Sequence, residues 1–175
     1  MDKLSIAIDM DEVIADPIDK FITLYQQDHG YNYTLEQMHG KEFGELLPAE
    51  LTHTLREYLN RKGFFRDLKV IADSQEVIAE LHKKYDVYIV SAATEFPLSL
   101  EDKQAWLADH FPFISWTNIM FCGHKIVNTD IMIDDRTKNF VKFNGRKLLF
   151  TSPHNVTLTD YERVNNWKEV AQKLL

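Results

Sequence analysis

The chain has one cysteine in 175 residues, Cys122, so no intramolecular disulfide can form. An unpaired thiol suits a reducing compartment, and Cys122 is expected as a small, buried core residue. Only six glycines and five prolines are present, with no Gly/Ser/Pro-rich tract and no internal repeat, so nothing marks a flexible linker. No apolar stretch approaches the roughly 20 residues that span a bilayer. The N-terminus passes at once from a charged residue to a short apolar run, Leu4 to Ile8, without a signal-peptide core. A soluble, cytoplasmic protein with no membrane partner is the expectation. Basic charge is also scarce: 20 Lys and Arg stand against 27 Asp and Glu, for a net charge of -7. That balance excludes a surface made to follow a nucleic-acid polymer, which needs a basic stripe. A small phosphorylated ligand stays open, because it needs only a few local cations or a metal.

What is present is enough for one core, with 45% hydrophobic and 12% aromatic residues. Ile6 and Ile8 sit in a short apolar run that ends in Asp9, which reads as a buried strand. Ile18, Phe21, Ile22 and Tyr25 recur at helical spacing, predicting a helix from about Ala15 to His29 with Gly30 at its C-cap. Residues 31 to 65 continue as broken helical pattern, with Pro48 suited to a first helical turn. Strands and helices then alternate. Helices are expected near Gln75 to Tyr85, Leu100 to His110, Lys138 to Phe143 and Trp167 to Leu175. Strands are expected at Asp86 to Ser91, Asn118 to Phe121, Ile131 to Ile133 and Lys147 to Phe150. This alternation predicts an α/β fold, a Rossmann-like parallel sheet with helices on both faces. A small helical cap is inserted after the first strand and helix. The expected division is a single domain over 1–175, with a core of 1–16 and 66–175 and a cap at approximately 17–65.

The chemistry gathers at predicted strand ends, where open α/β sheets bind ligands. Asp9-Met10-Asp11 follows the first strand, and Asp134-Asp135 follows the Ile131 strand. Carboxylates so placed repel one another unless a hard divalent cation joins them. Between them the Val87 to Val90 strand ends in Ser91-Ala92-Ala93-Thr94, a hydroxyl followed by small residues that let backbone N–H groups approach an anion. Lys125 lies in a loop before the second acidic pair. The seven histidines show no zinc-type pairing, although His124 and His154 fall near the same edge.

The set Asp9-Met10-Asp11-Glu12-Val13, Ser91, Lys125 and Asp134-Asp135 resembles the haloacid dehalogenase superfamily. More narrowly it resembles its 5'(3')-deoxyribonucleotidases, a likeness that extends to Gly63-Phe64-Phe65, Phe121-Cys122-Gly123, Pro153-His154-Asn155 and Arg163 to Trp167. The resemblance implies a magnesium-dependent phosphomonoesterase acting on a small phosphorylated substrate, a deoxyribonucleoside monophosphate. It assigns Asp9 as nucleophile and Asp11 as general acid and base. Ser91, Ala92 and Lys125 are phosphate contacts. Asp9, Asp11 through its backbone carbonyl, and Asp135 are the Mg2+ ligands, with Asp134 behind them. Two departures concern the leaving group: Pro17 stands near a position where family members carry a base-stacking aromatic, and Glu12 where many superfamily members have glycine. Phe21, Tyr31, Tyr33 and Phe43 are available replacements, although helical spacing marks them as core. The alternatives are a phosphatase for a sugar phosphate or other small metabolite, a receiver-type phosphoacceptor, and a non-catalytic nucleotide-binding protein.

Overall fold

The structure is a computed structural model that describes residues 3–175. A parallel sheet forms its centre, from β1 (Ser5–Ile8), β4 (Asp86–Ser91), β5 (Ile119–Phe121), β6 (Ile131–Asp134), β7 (Arg146–Phe150) and β8 (Glu162–Val164), in the order β5-β4-β1-β6-β7-β8. Sequence order runs outward from β1 through β4 to β5, then returns to β6 on the other side. The direction of winding therefore reverses between β1 and β6, where a crevice opens at the carboxyl ends of the strands. Ile8 pairs with Ile89 on one side and Ile133 on the other. The Asp9 N–H continues the ladder to the Ile133 carbonyl at 2.9 Å. This register places Asp9, Ser91 and Asp134 at one edge of the sheet.

Alternation along the strands divides the core. Ile6, Ile8, Ile89, Ile133 and Leu148 face a large cluster with the helices α3 (Ser74–Lys84), α4 (Ser99–His110) and α5 (Trp167–Leu174). Ala7, Val90, Met132 and Leu149 face a smaller cluster closed by Phe140 and Phe143. The short helix expected there is a single 3-10 turn, Thr137–Phe140. Cys122 is half-buried rather than fully buried, beside this smaller cluster.

A two-stranded antiparallel ribbon, β2 (Ala15–Asp16) with β3 (Lys69–Val70), stands outside the main sheet. The helix therefore starts later than its periodicity suggests, as α1 (Pro17–His29): Asp16 accepts the Asp19 N–H at 2.9 Å as its N-cap, and Pro17 opens the first turn. Gly30 closes it at φ 73°, a left-handed geometry that costs glycine little. Two fully buried indoles hold the approaches to the ribbon, Trp167 donating to the Val13 carbonyl and Trp106 to that of Leu68, both at 2.8 Å. Between the ribbon strands lie α1, three 3-10 turns and α2 (Thr52–Leu59). This segment has an aromatic centre of its own, with Phe21 against Phe43 at 5.3 Å and Tyr25 edge-on to Tyr58 at 5.3 Å. Such contacts add about 0.5–1.5 kcal/mol each beyond area burial.

The strand β8 has no counterpart in the sequence-based expectation. Only Val164 of its three residues is buried, so an edge strand carrying Glu162 and Arg163 shows no alternation to read. No helix among the described residues is long and apolar enough to cross a membrane.

Candidate active site

The loop after β1 is wound around one carbonyl. Met10 accepts N–H groups from Ile14 at 2.9 Å and Ala15 at 3.0 Å, which turns the chain sharply and leaves Asp9 and Asp11 at the crevice. Glu12 pays for that turn with φ 61°, uncommon for a side chain of its size. Its carboxylate is well held: the Ser152 hydroxyl donates to it, His154 lies at 3.3 Å and Arg136 at 3.3 Å. Burial alone would raise its pKa, but these partners outweigh burial and hold it below the ordinary value.

Lys125 lies between two carboxylates, 2.6 Å from Asp9 and 2.7 Å from Asp134, and all three side chains are buried. Desolvation opposes the ammonium, yet the two negative charges prevail and hold its pKa above that of a free lysine. Asp134 is fully engaged, accepting from Lys125, the Arg136 N–H at 2.9 Å and the Asn139 amide at 2.9 Å. Asp135 is its opposite. It is 1% exposed, and neither carboxylate oxygen has a hydrogen-bond partner, the nearest cationic groups being His154 at 3.5 Å and Arg136 at 3.6 Å. Burial, and then the charges of Glu12, Asp9 and Asp134, push its pKa well above the ordinary value. Oxygens of Asp9, Asp134 and Asp135 lie within 4.8 Å of one another. A buried acid with two orphaned oxygens beside two further carboxylates is a donor set suited to a hard divalent cation.

On the other side of Asp9, Ser91 ends β4 fully buried, and Ala92 lines the cleft. The Ser91 Oγ accepts at 3.0 Å from Lys103, whose ammonium also pairs with Asp11 and lies 4.5 Å from the centre of the Phe65 ring. Sequence reading did not single out Lys103. The available signal was its register in α4, where it falls on the same buried stripe as Trp106 and Leu107, an unusual place for a lone lysine. Arg136, also not foreseen, grips Glu42 with two bonds of 2.5 and 3.0 Å and so joins the helical segment to the end of β6. Glu42→Gln is expected to accelerate amide exchange across residues 36–47, by about fivefold at most for a pair of this exposure. Unchanged exchange would make the pair incidental.

These groups share a cleft of about 840 Å³ between the sheet edge and the helical segment. Asp9, Asp11, Lys125 and Asp135 lie on its lining, with His124 and His154. Of the four candidate aromatics, Phe21 and Phe43 line the cleft while Tyr31 and Tyr33 stack on each other at 5.9 Å. Phe65, which falls in the family likeness at Gly63-Phe64-Phe65, and Phe96, which sequence reading did not single out, complete the apolar wall.

A family model described as 5' nucleotidase, deoxy (pyrimidine), cytosolic type C protein matches residues 3–175. The chain belongs to this nucleotidase family. The 5'(3')-deoxyribonucleotidases of Bacillus subtilis strain 168 and of Bacillus phage SPbeta are each 40% identical to it over 183 residues, covering 99% of both chains. Among solved structures, a haloacid dehalogenase-like hydrolase from Streptococcus pneumoniae superposes with a TM-score of 0.62 at 14% identity, over 99% of each chain. The magnesium-bound crystal structure of YfnB from Bacillus subtilis gives 0.59 at 14%, again over 99% of each. Likeness at that identity carries the fold, and the closer relatives carry the enzyme class. This nucleotidase is a phosphoric monoester hydrolase, which sets aside the receiver-type and non-catalytic readings.

Proposed function

We propose that the protein is a Mg2+-dependent phosphomonoesterase that dephosphorylates deoxyribonucleoside 5'(3')-monophosphates through an aspartyl-phosphate on Asp9. The observation that carries this reading is the contrast at the sheet edge: Asp9 is held by Lys125 at the end of the central strand, while the buried Asp135 close by accepts no hydrogen bond at either oxygen. The relatives' shared name, 5'(3')-deoxyribonucleotidase, supports the substrate class.

Asp9 attacks phosphorus through a carboxylate oxygen, the bond from phosphorus to the leaving oxygen breaks, and Asp11 supplies the proton that this oxygen needs. Asp11 then removes a proton from water, whose oxygen displaces Asp9 and releases phosphate. Asp11 is suited to both steps, since it lines the cleft and its Oδ1 has no partner. Lys125 stabilises charge building on the phosphoryl oxygens, a role shared by Ser91 and the backbone N–H groups around Ala92. Asp9, Asp135 and the backbone carbonyl of Asp11 would hold Mg2+, with Asp134 steadying Lys125 behind them. When bound, the cation supplies neutralisation between anionic nucleophile and anionic substrate. The helical segment acts as a cap over this site, and its Phe21, Phe43 and Phe65, with Phe96 from the turn after β4, form an apolar wall that covers the nucleoside.

The test is phosphate release from deoxynucleoside and nucleoside 5'- and 3'-monophosphates and from sugar phosphates, with and without Mg2+. Turnover of sugar phosphates alone would keep the chemistry and overturn the substrate class. A second measurement addresses the cation site alone. Asp135→Asn removes a charge that burial and the neighbouring carboxylates disfavour, so the metal-free variant is expected to melt higher than the parent, about 2–4 °C for each kcal/mol relieved. It should also lose the rise in melting temperature that Mg2+ gives the parent. A variant that still responds to Mg2+ would place the cation elsewhere.

A further inference from the structure

The cations on the floor of the cleft are all committed: Lys103 to Asp11, Lys125 to Asp9 and Asp134, and Arg136 to Glu12 and Glu42. Those on its rim are not. Lys41, Lys138 and Lys142 are exposed, line the same cleft, and have no carboxylate within 4.0 Å among the described residues. Lys138 and Lys142 come from the stretch after β6, and Lys41 from the helical segment. The two-bond grip of Arg136 on Glu42 draws these stretches together at the mouth. Elsewhere on this acidic chain surface lysines usually find acids, as Lys20 does with Asp67 and Lys62 with Glu101. Against the one exposed carboxylate on the same lining that also lacks a counter-ion among the described residues, Glu95, three unneutralised ammonium groups leave the rim with a net positive charge on a chain whose total is -7.

We infer that this rim is a second anion subsite, and that the substrate class it favours is a nucleoside bisphosphate, with one phosphoryl group at Asp9 and the other on Lys41, Lys138 and Lys142. The inference rests on the phosphatase reading and extends it. A monophosphate placed for attack by Asp9 is served by Lys125, which leaves the rim lysines without an anionic partner. The cleft volume of about 840 Å³ lies toward the upper end of the roughly 300–1,000 Å³ usual for small-molecule sites, so there is room beyond a mononucleotide.

The experiment compares initial-rate KM values for a deoxynucleoside 3',5'-bisphosphate and the matching 5'-monophosphate, in the parent and in K41Q/K138Q/K142Q. All three positions are exposed, so the substitutions spare the core. The bisphosphate is expected to have a KM about tenfold lower, the equivalent of one good charge-assisted contact. In the triple variant the ratio should return to about one. A ratio of one in the parent would overturn the inference. So would an equal rise in KM for both substrates in the variant, the mark of a general steering field. Calorimetric binding of the same two nucleotides to Asp9→Asn, with and without the lysine changes, reads the rim without turnover. Silence of the parent toward every phosphomonoester would therefore sink the phosphatase reading, while the binding ratio still decides the subsite.

Discussion

Asp9→Asn is expected to lower Mg2+-dependent phosphate release by about four orders of magnitude or more, because an amide cannot form the phosphoryl bond that divides the hydrolysis into two steps. The substitution keeps the size of the side chain. It also keeps an oxygen able to accept the Met10 N–H, which bonds Asp9 Oδ1 at 2.6 Å, and Lys125 keeps Asp134 as its counter-ion. Burial raises the pKa of Asp9, Lys125 lowers it and Asp134 raises it, for a net rise above the ordinary value. The charged form is therefore a cost to the folded state that the amide removes. Melting temperature should accordingly hold or rise while activity disappears, a combination that unfolding cannot imitate. Retention of even a tenth of the parental rate in a clean preparation would move the nucleophile away from Asp9.

Much of this arrangement was legible before any coordinates, for reasons that differ from residue to residue. Asp9 and Asp134-Asp135 follow short β-branched runs, Ile6 and Ile8 and then Ile131 and Ile133, and parallel register brings such strand ends to one edge. Ser91 was marked by its place at a strand end before small residues, whereas Lys125 gained weight only through likeness to a family, since a lysine in a loop is ordinary taken singly. The ribbon of β2 and β3 escaped notice because two residues per strand carry no period; its position depends on buried Trp106 and Trp167, which act across long sequence separations. Arg136 escaped for a related reason. Its partners Glu12 and Glu42 are 124 and 94 residues away in sequence, and only the assembled cleft brings them together. The division of labour between Asp134 and Asp135 was likewise beyond periodicity. It becomes readable once hydrogen bonds are counted, with three groups bonding Asp134 and none bonding Asp135, which Arg136 and His154 approach only to 3.6 and 3.5 Å.

Lys125→Met tests how much of the fold depends on the same charges as the chemistry. The methionine fills a similar volume but leaves Asp9, Asp134 and Asp135 buried without the ammonium between them. Removing one member of a buried ionic group typically costs about 3–5 kcal/mol, which for a chain of this length corresponds to a fall in melting temperature of about 10 °C. Activity should fall by a factor of about 10² to 10³ through loss of a positive charge at the phosphoryl oxygens. The two losses can be separated. In Lys125→Met/Asp134→Asn one of the stranded charges is gone, so stability should recover in large part, while activity should remain low because nothing replaces the ammonium. Recovery of both together would mean that Lys125 serves only to hold the carboxylates in place. Recovery of neither would mean that its role is one of packing, and that the sheet edge tolerates its charges by some route other than the ion pairs seen in the structure.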